Sequence, residues 1–329
     1  MIDLSILNLA PVRKGESYAQ TYDRLTDLAI HADKLGYKRF WIAEHHNSPD
    51  MASAATSLLI QRVLDKTEQI RVGSGGVMLP NHSPFIVAEQ YGTLATMYPN
   101  RVDLGVGRAA GTDGATARAI RRHNLDFENN FGADVQELQF YFGEPTDKKY
   151  VRAYPAVDLN VPLYILGSSP ESAYLAAQLG LPYVFGSHFA PRFLQMAVDA
   201  YRANFKPSKQ LDKPYVILGM SAIVADTDEE AKFLATSDLQ FFINTTKLED
   251  ASLVPPSLDI GKDTEQDIVN MAKGMMSFGV LGSKETALAQ LRQIQSQVQA
   301  DEFIAVNYIY DQDKQKRSYE LLMDVAKAV

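Results

Sequence analysis

Glu44, His45 and His46 follow directly on the apolar run Phe40-Trp41-Ile42-Ala43. An imidazole ionises near neutrality and can pass a proton either way, which suits general acid–base work. A strand covered on both faces reads as such a run, and in parallel α/β sheets chemistry collects where the strands end. If the strand geometry continues, its alternation sends His45 and His46 to opposite faces. That argues against a metal held by the pair, for which His-x-His would be the fitting spacing, so no metal is expected. The plain alternative is that one imidazole caps the next helix and the other is a solvated surface group.

Three further sets of residues could do chemistry. Ser168, Ser169 and Ser172 lie where the run Leu163 to Leu166 turns into a helical stretch, and amides and hydroxyls at a helix start can meet an anion or simply cap the helix. Arg108 closes the run Val102 to Val106 and precedes Ala109-Ala110-Gly111, a place for an anion or a polar ring edge, or for an ordinary salt bridge. Gly75 and Gly76 interrupt a β-branched strand, which marks a bulge or the close approach of another group, or relieves crowding inside a barrel.

The elements that must position these residues alternate. Short apolar runs at Ile2 to Leu9, Phe40 to Ala43, Ile70 to Val77, Val102 to Val106, Leu163 to Leu166, Tyr183 to Gly186, Tyr215 to Val224 and Phe303 to Tyr310 are separated by stretches of helical period. Ser17 and Gln20 form a capping box for the first helix, and Gly36 stops it. Eight strand–helix units, with no G-x-G-x-x-G after Leu9, predict an α/β chain folded as a single (β/α)8 TIM barrel over residues 1-329. Two segments exceed the repeat, near 143-160 and 245-275. The second holds Pro255-Pro256 and Gly261 and suits a mobile loop that could close an active site.

Composition narrows the field. A net charge of -8 and a pI near 5.3, with no lysine or arginine run, argue against a nucleic-acid partner. The absence of cysteine excludes disulfides, iron–sulfur clusters and a thiol nucleophile. Neither a signal peptide nor an apolar run of about 20 residues is present, so no membrane partner and a cytoplasmic location are expected.

Ala43-Glu44-His45-His46, Val72 to Pro80, Asn100 to Arg108, Leu166 to Ser172 and Gly279 to Ser283 together resemble the successive strand-end motifs of the bacterial-luciferase-like flavin-dependent monooxygenases. The resemblance implies the same barrel with a late insertion. It further implies reduced FMN as co-substrate, a C4a-peroxyflavin, a small organic substrate, a separate NAD(P)H flavin reductase and a homodimer. His45 matches the family's active-site histidine, Arg108 an arginine at the flavin, and Ser169 and Ser172 the phosphate contacts, with Ser168 beside them. Gly75 and Gly76 match a pair that carries a non-prolyl cis peptide against the flavin ring. A second phosphate-binding arginine falls near Asn130, leaving Arg118, Arg121 or Arg122 as substitutes. Gly107 replaces a reactive cysteine of the luciferases, so light emission is not implied. Trp41 and Phe85 suggest an apolar or carbonyl substrate. A deazaflavin-dependent or flavin reductase-like relative, or a non-catalytic flavin-binding protein, are the alternatives.

Overall fold

Strands buried on both faces can lose their edges only by closing on themselves, and these do. A computed structural model describes residues 2–109, 111–121, 130–144, 151–188 and 190–329. Its strands are β1 (Asp3–Asn8), β2 (Arg39–Ile42), β3 (Arg71–Met78), β4 (Val102–Gly107), β5 (Leu163–Gly167), β6 (Tyr183–Phe185), β7 (Val216–Val224), β8 (Gly279–Gly282) and β9 (Glu302–Val306). The order β6-β5-β4-β3-β2-β1-β9-β7 closes through a β6–β7 pairing, and every pairing is parallel. Eight strands therefore form the barrel that the alternation predicts. The ninth, β8, lies outside it and pairs only with the end of β7.

The helices are α1 (Tyr18–Leu35), α2 (Thr56–Leu64), α3 (Pro84–Met97), α4 (Gly114–Arg121), α5 (Phe131–Phe142), α6 (Pro170–Leu179), α7 (Leu194–Asn204), α8 (Asp228–Lys247), α9 (Gln266–Met275), α10 (Lys284–Val298) and α11 (Gln312–Ala328). The capping box of Ser17 and Gln20 opens α1, and Gly36 ends it with φ 83 in the left-handed region. Alternate strand residues such as Ile6, Phe40, Ile42, Leu104 and Phe303 face the helices in one core. Their neighbours Leu7, Trp41, Ala43, Tyr164, Val184, Ile217 and Ile304 fill the barrel. None of the described helices is long and apolar enough to cross a membrane.

The barrel floor is ionic. Arg39 reaches Glu302 at 2.8 Å, Asp103 at 2.8 Å and the Tyr164 hydroxyl at 2.7 Å, while Arg71 holds the other Asp103 oxygen at 2.6 Å. Burial works to raise the pKa of Asp103, but the two guanidiniums outweigh it and hold the carboxyl below its ordinary value. Trp41 belongs to this network, since its indole donates to Asp103 at 3.1 Å and its ring meets Tyr164 edge-on. Phe85 packs edge-on against Tyr141, between α3 and α5. Both aromatics that suggested a substrate pocket are thus used in the scaffold.

The two excess segments also pack. In the first, of which residues 145–150 lie outside the described ones, Ala153 and Ala156 are fully buried. A β-carbon on Gly92 of α3 would come 2.5 Å from Ala156, so a glycine there lets the segment lie against the helix. The second begins later than its composition suggests, because α8 runs to Lys247 and Leu248 ends it at φ 57. Behind it Ala251 and Leu253 are buried, Leu253 exchanges backbone hydrogen bonds with Val12 and Lys14, and α9 adds Val269 and Ala272 to the cluster that fills the barrel.

Candidate active site

Parallel strands bring Ala43, Gly107, Gly167 and Phe185 to one rim. At the β2 corner the ladder stops at Ile42, three residues before the imidazoles. Strand alternation therefore does not govern them, and the turn does. Thr56 Oγ donates to the carbonyls of Ala43 and Ser53 at 3.1 Å each, the His45 amide donates to Ser53 at 3.4 Å, and Asn47 takes φ 54.

Glu44 is 2% exposed, and one of its oxygens accepts from His46 Nε2 at 2.8 Å and from His82 Nε2 at 2.7 Å. Burial pushes the carboxyl pKa up, yet the two imidazole bonds prevail and leave it below the ordinary glutamate value. The Glu44 carboxylate can only accept, so both rings carry a hydrogen on Nε2 and are held in that orientation. His82 comes from the turn after β3, and its role was not read from sequence. The signal available was position: Asn81-His82-Ser83 follows a strand end. The three donor atoms lie within 4.8 Å of one another, a set a divalent ion could also use, but the hydrogen bonds described already account for their approach.

His45 does not join that group. Its Nδ1 is buried and has no hydrogen-bond partner among the described residues. Burial lowers the ring's pKa below the ordinary histidine value against the opposing pull of Glu44, so the ring is neutral at pH 7.

On β3 the Gly75-Gly76 peptide is cis, and the register against β4 shifts between Ser74 and Val77. A β-carbon on Gly75 would lie 2.6 Å from Leu7, and one on Gly76 would lie 2.9 Å from the Gly105 carbonyl. The barrel's backbone therefore already requires a glycine at position 76, whereas at position 75 the Leu7 side chain would have to move aside. Arg108 at the end of β4 is exposed, while Thr112 and Asp113 behind it bond the His46 carbonyl and the Asn47 side chain and so clasp the histidine turn.

At the β5 corner Ser169 is the N-cap of α6 and accepts the Ser172 amide at 3.4 Å. The Ser172 hydroxyl is buried, donating to the Ser169 carbonyl at 2.7 Å beside the Tyr183 hydroxyl at 3.1 Å. Glu171, exposed in the first turn, has its carboxyl held low by the Ser169 hydroxyl, by its own amide and by Arg108. Arg108 follows β4, the ladder neighbour of the β5 strand that leads into α6. Of the other candidates, Asn130 is exposed, Arg118 lies on α4, and Arg122 and the Arg121 side chain lie outside the described residues.

The family model for the luciferase-like monooxygenases matches residues 2–300. This chain belongs to that family. It is 44% identical to a luciferase-like monooxygenase of Escherichia coli strain K12, over 98% of this chain and 97% of that one. It is 30% identical to the N-acetyl-S-alkylcysteine monooxygenase of Bacillus subtilis, over 100% and 99%. The crystal structure of apo-MsnO8 superposes with a TM-score of 0.90 at 32% identity, covering 100% of this chain and 99% of its own. The oxygenating constituent of 3,6-diketocamphane monooxygenase from Pseudomonas putida, solved with FMN, shares the fold at a TM-score of 0.72 and 18% identity, over 100% and 98%. This luciferase-like monooxygenase is accordingly an enzyme of the flavin-dependent oxidoreductases that incorporate oxygen.

Proposed function

We propose that this luciferase-like monooxygenase is the oxygenase half of a pair. It takes reduced FMN from a separate NAD(P)H-dependent flavin reductase and passes one atom of O2 to a small organic substrate. The observation that carries the reading is the unpaired His45 Nδ1. Buried polar atoms are paired as a rule, and one left over at the rim of a barrel of this family is completed by a bound ligand.

The residues present fit FMN. Ser169, the first turn of α6 and Arg108 would hold the phosphate, with Ser172 joining once its hydroxyl turns from the Ser169 carbonyl. Ser168 lies beside them, and Gly75 and Gly76 offer bare backbone to the ring. Bound reduced FMN supplies the two electrons that send one oxygen atom to the substrate and the other to water.

The chain's own side chains do the rest. His45, kept neutral by burial, holds or moves a proton at Nδ1. Glu44 acts through His46 and His82 to keep the turn that carries His45 in place. Phe241, Phe242 and Tyr308, backed by α9, exclude water from the mouth and favour a largely apolar substrate. A homodimer is part of the reading, since Leu58 on α2 and Ile86 and Met97 on α3 leave apolar side chains exposed.

The test is binding of FMN, riboflavin and a deazaflavin to the same preparation, followed by mixing of the reduced complex with oxygen. FMN should bind tightest, and its reoxidation should differ from that of free flavin. A chain that takes only the deazaflavin would overturn the reading. So would one that binds FMN without altering its reaction with oxygen, as a carrier would.

A further inference from the structure

Helix α8 carries a buried carboxyl that the chemistry above does not use. Asp238 is 1% exposed and lies one turn before Phe241 and Phe242, on the same helix face. That face meets the end of β9. Asp238 Oδ2 accepts the Tyr308 amide at 3.2 Å, and the Tyr308 ring stacks on Phe241 with centroids 4.3 Å apart. Oδ1 is buried with no hydrogen-bond partner among the described residues.

No cation among the described residues acts on this carboxyl. The titratable groups facing it are the phenols of Tyr308, just past β9, and Tyr319, on α11, both kept neutral by burial. A charge here would be supported by the Tyr308 amide and by Asp238's own backbone, a poor exchange for water. Burial accordingly pushes the Asp238 carboxyl up to about 7, against the Tyr308 amide and its own backbone, which pull it down. The residues just before Asp238 hold the segment that follows α8. Ser237 Oγ donates to the Val254 carbonyl at 2.8 Å, and Thr236 Oγ accepts the Ser257 amide at 2.9 Å. Whatever loosens this face of α8 therefore also loosens the cover over the barrel mouth.

We propose that Asp238 is a pH-operated latch: as the acid it fastens α8 and the segment behind it over the mouth, and as the carboxylate it lets them lift. The sign follows from the carboxyl being a weaker acid when docked than when open. The fastening is complete below the ordinary aspartate range and is lost as the pH rises through about 7.

Hydrogen exchange of the full chain, read by mass spectrometry over residues 236–275 and corrected for intrinsic exchange rates, tests this. Protection there should fall about tenfold per pH unit between pH 5 and pH 7 and level off above, while peptides from β1 to β5 should not follow. Asp238→Asn and Asp238→Ala both lack the titrating group, so whichever variant folds should show a flat profile. A wild-type profile that is flat from pH 5 to pH 8 overturns the latch. So does a slope that survives in either variant.

Discussion

Replacing Glu44 with glutamine tests the histidine corner without changing its shape. The amide oxygen can still accept from both imidazoles, so the substitution removes charge rather than contacts. A hydrogen bond to a charged acceptor is worth about 1.5–3 kcal/mol and a neutral one about 1 kcal/mol. Two such bonds at 2.7–2.8 Å on a carboxylate 2% exposed should make Glu44→Gln less stable by roughly 1–3 kcal/mol at pH 7. The pH dependence supplies the sign check. Because the folded carboxyl lies below its ordinary value, its contribution is full above the unfolded glutamate pKa, about 4.3, and disappears as the pH falls through the folded value. Urea midpoints of wild type and Glu44→Gln should therefore differ at pH 7 and converge as the pH is taken below 4. Equal midpoints at pH 7, or a gap that persists undiminished in acid, would refute the claim that the charge on Glu44 organises this corner. Glu44→Ala, which also leaves two imidazole donors unpaired, should cost more than glutamine at every pH where the chain folds.

Other outcomes follow from the same geometry. Ser169→Ala with Ser172→Ala should cut the preference for FMN over riboflavin about tenfold or more, the worth of one charge-assisted bond, as titration of flavin fluorescence would show. An undiminished preference would place the phosphate elsewhere. Arg39→Leu should destabilise the barrel by about 3–5 kcal/mol in denaturant, because Asp103 and Glu302 stay buried with one cation fewer; a loss under 1 kcal/mol would make the floor network expendable. Gly92→Ala should cost about 1–3 kcal/mol by pushing its new β-carbon into Ala156, and an unchanged melting temperature would mean that the 143–160 segment yields easily.

Much of this architecture was legible because the strands are buried on both faces. Phe40 to Ala43 and Leu163 to Leu166 are apolar runs soon followed by polar residues, and each became a barrel strand. Where the chain departs from that rule, the reading failed. The four residues of β8 lie outside the barrel with Leu281 exposed, so they form no buried run. β9 ends at Val306, although the apolar pattern continues to Tyr310, because the Tyr308 amide is taken by the side chain of Asp238. The prolines and charges of the insertion gave no sign of where it docks, yet Leu253 pairs with the loop after β1. At the site, residue types singled out the β2 and β5 corners, and the parallel ladder carries both to one rim of the barrel. Pairings between distant positions were out of reach: Glu44 with His82 spans 38 residues, and no local pattern records it.

His45 carries the functional account, and stopped-flow mixing of the reduced FMN complex with oxygen addresses it most directly. The wild-type chain should hold back reoxidation of its flavin relative to free reduced FMN and convert a substrate found by screening small apolar carbonyl compounds and thioethers. His45→Ala should bind FMN nearly as well, because Ser169 and Arg108 stand on other strand ends, yet lose about 10²–10⁴-fold in turnover or in the delay of reoxidation. Reoxidation and turnover unchanged from wild type in that variant, with the flavin bound to saturation, would contradict the account.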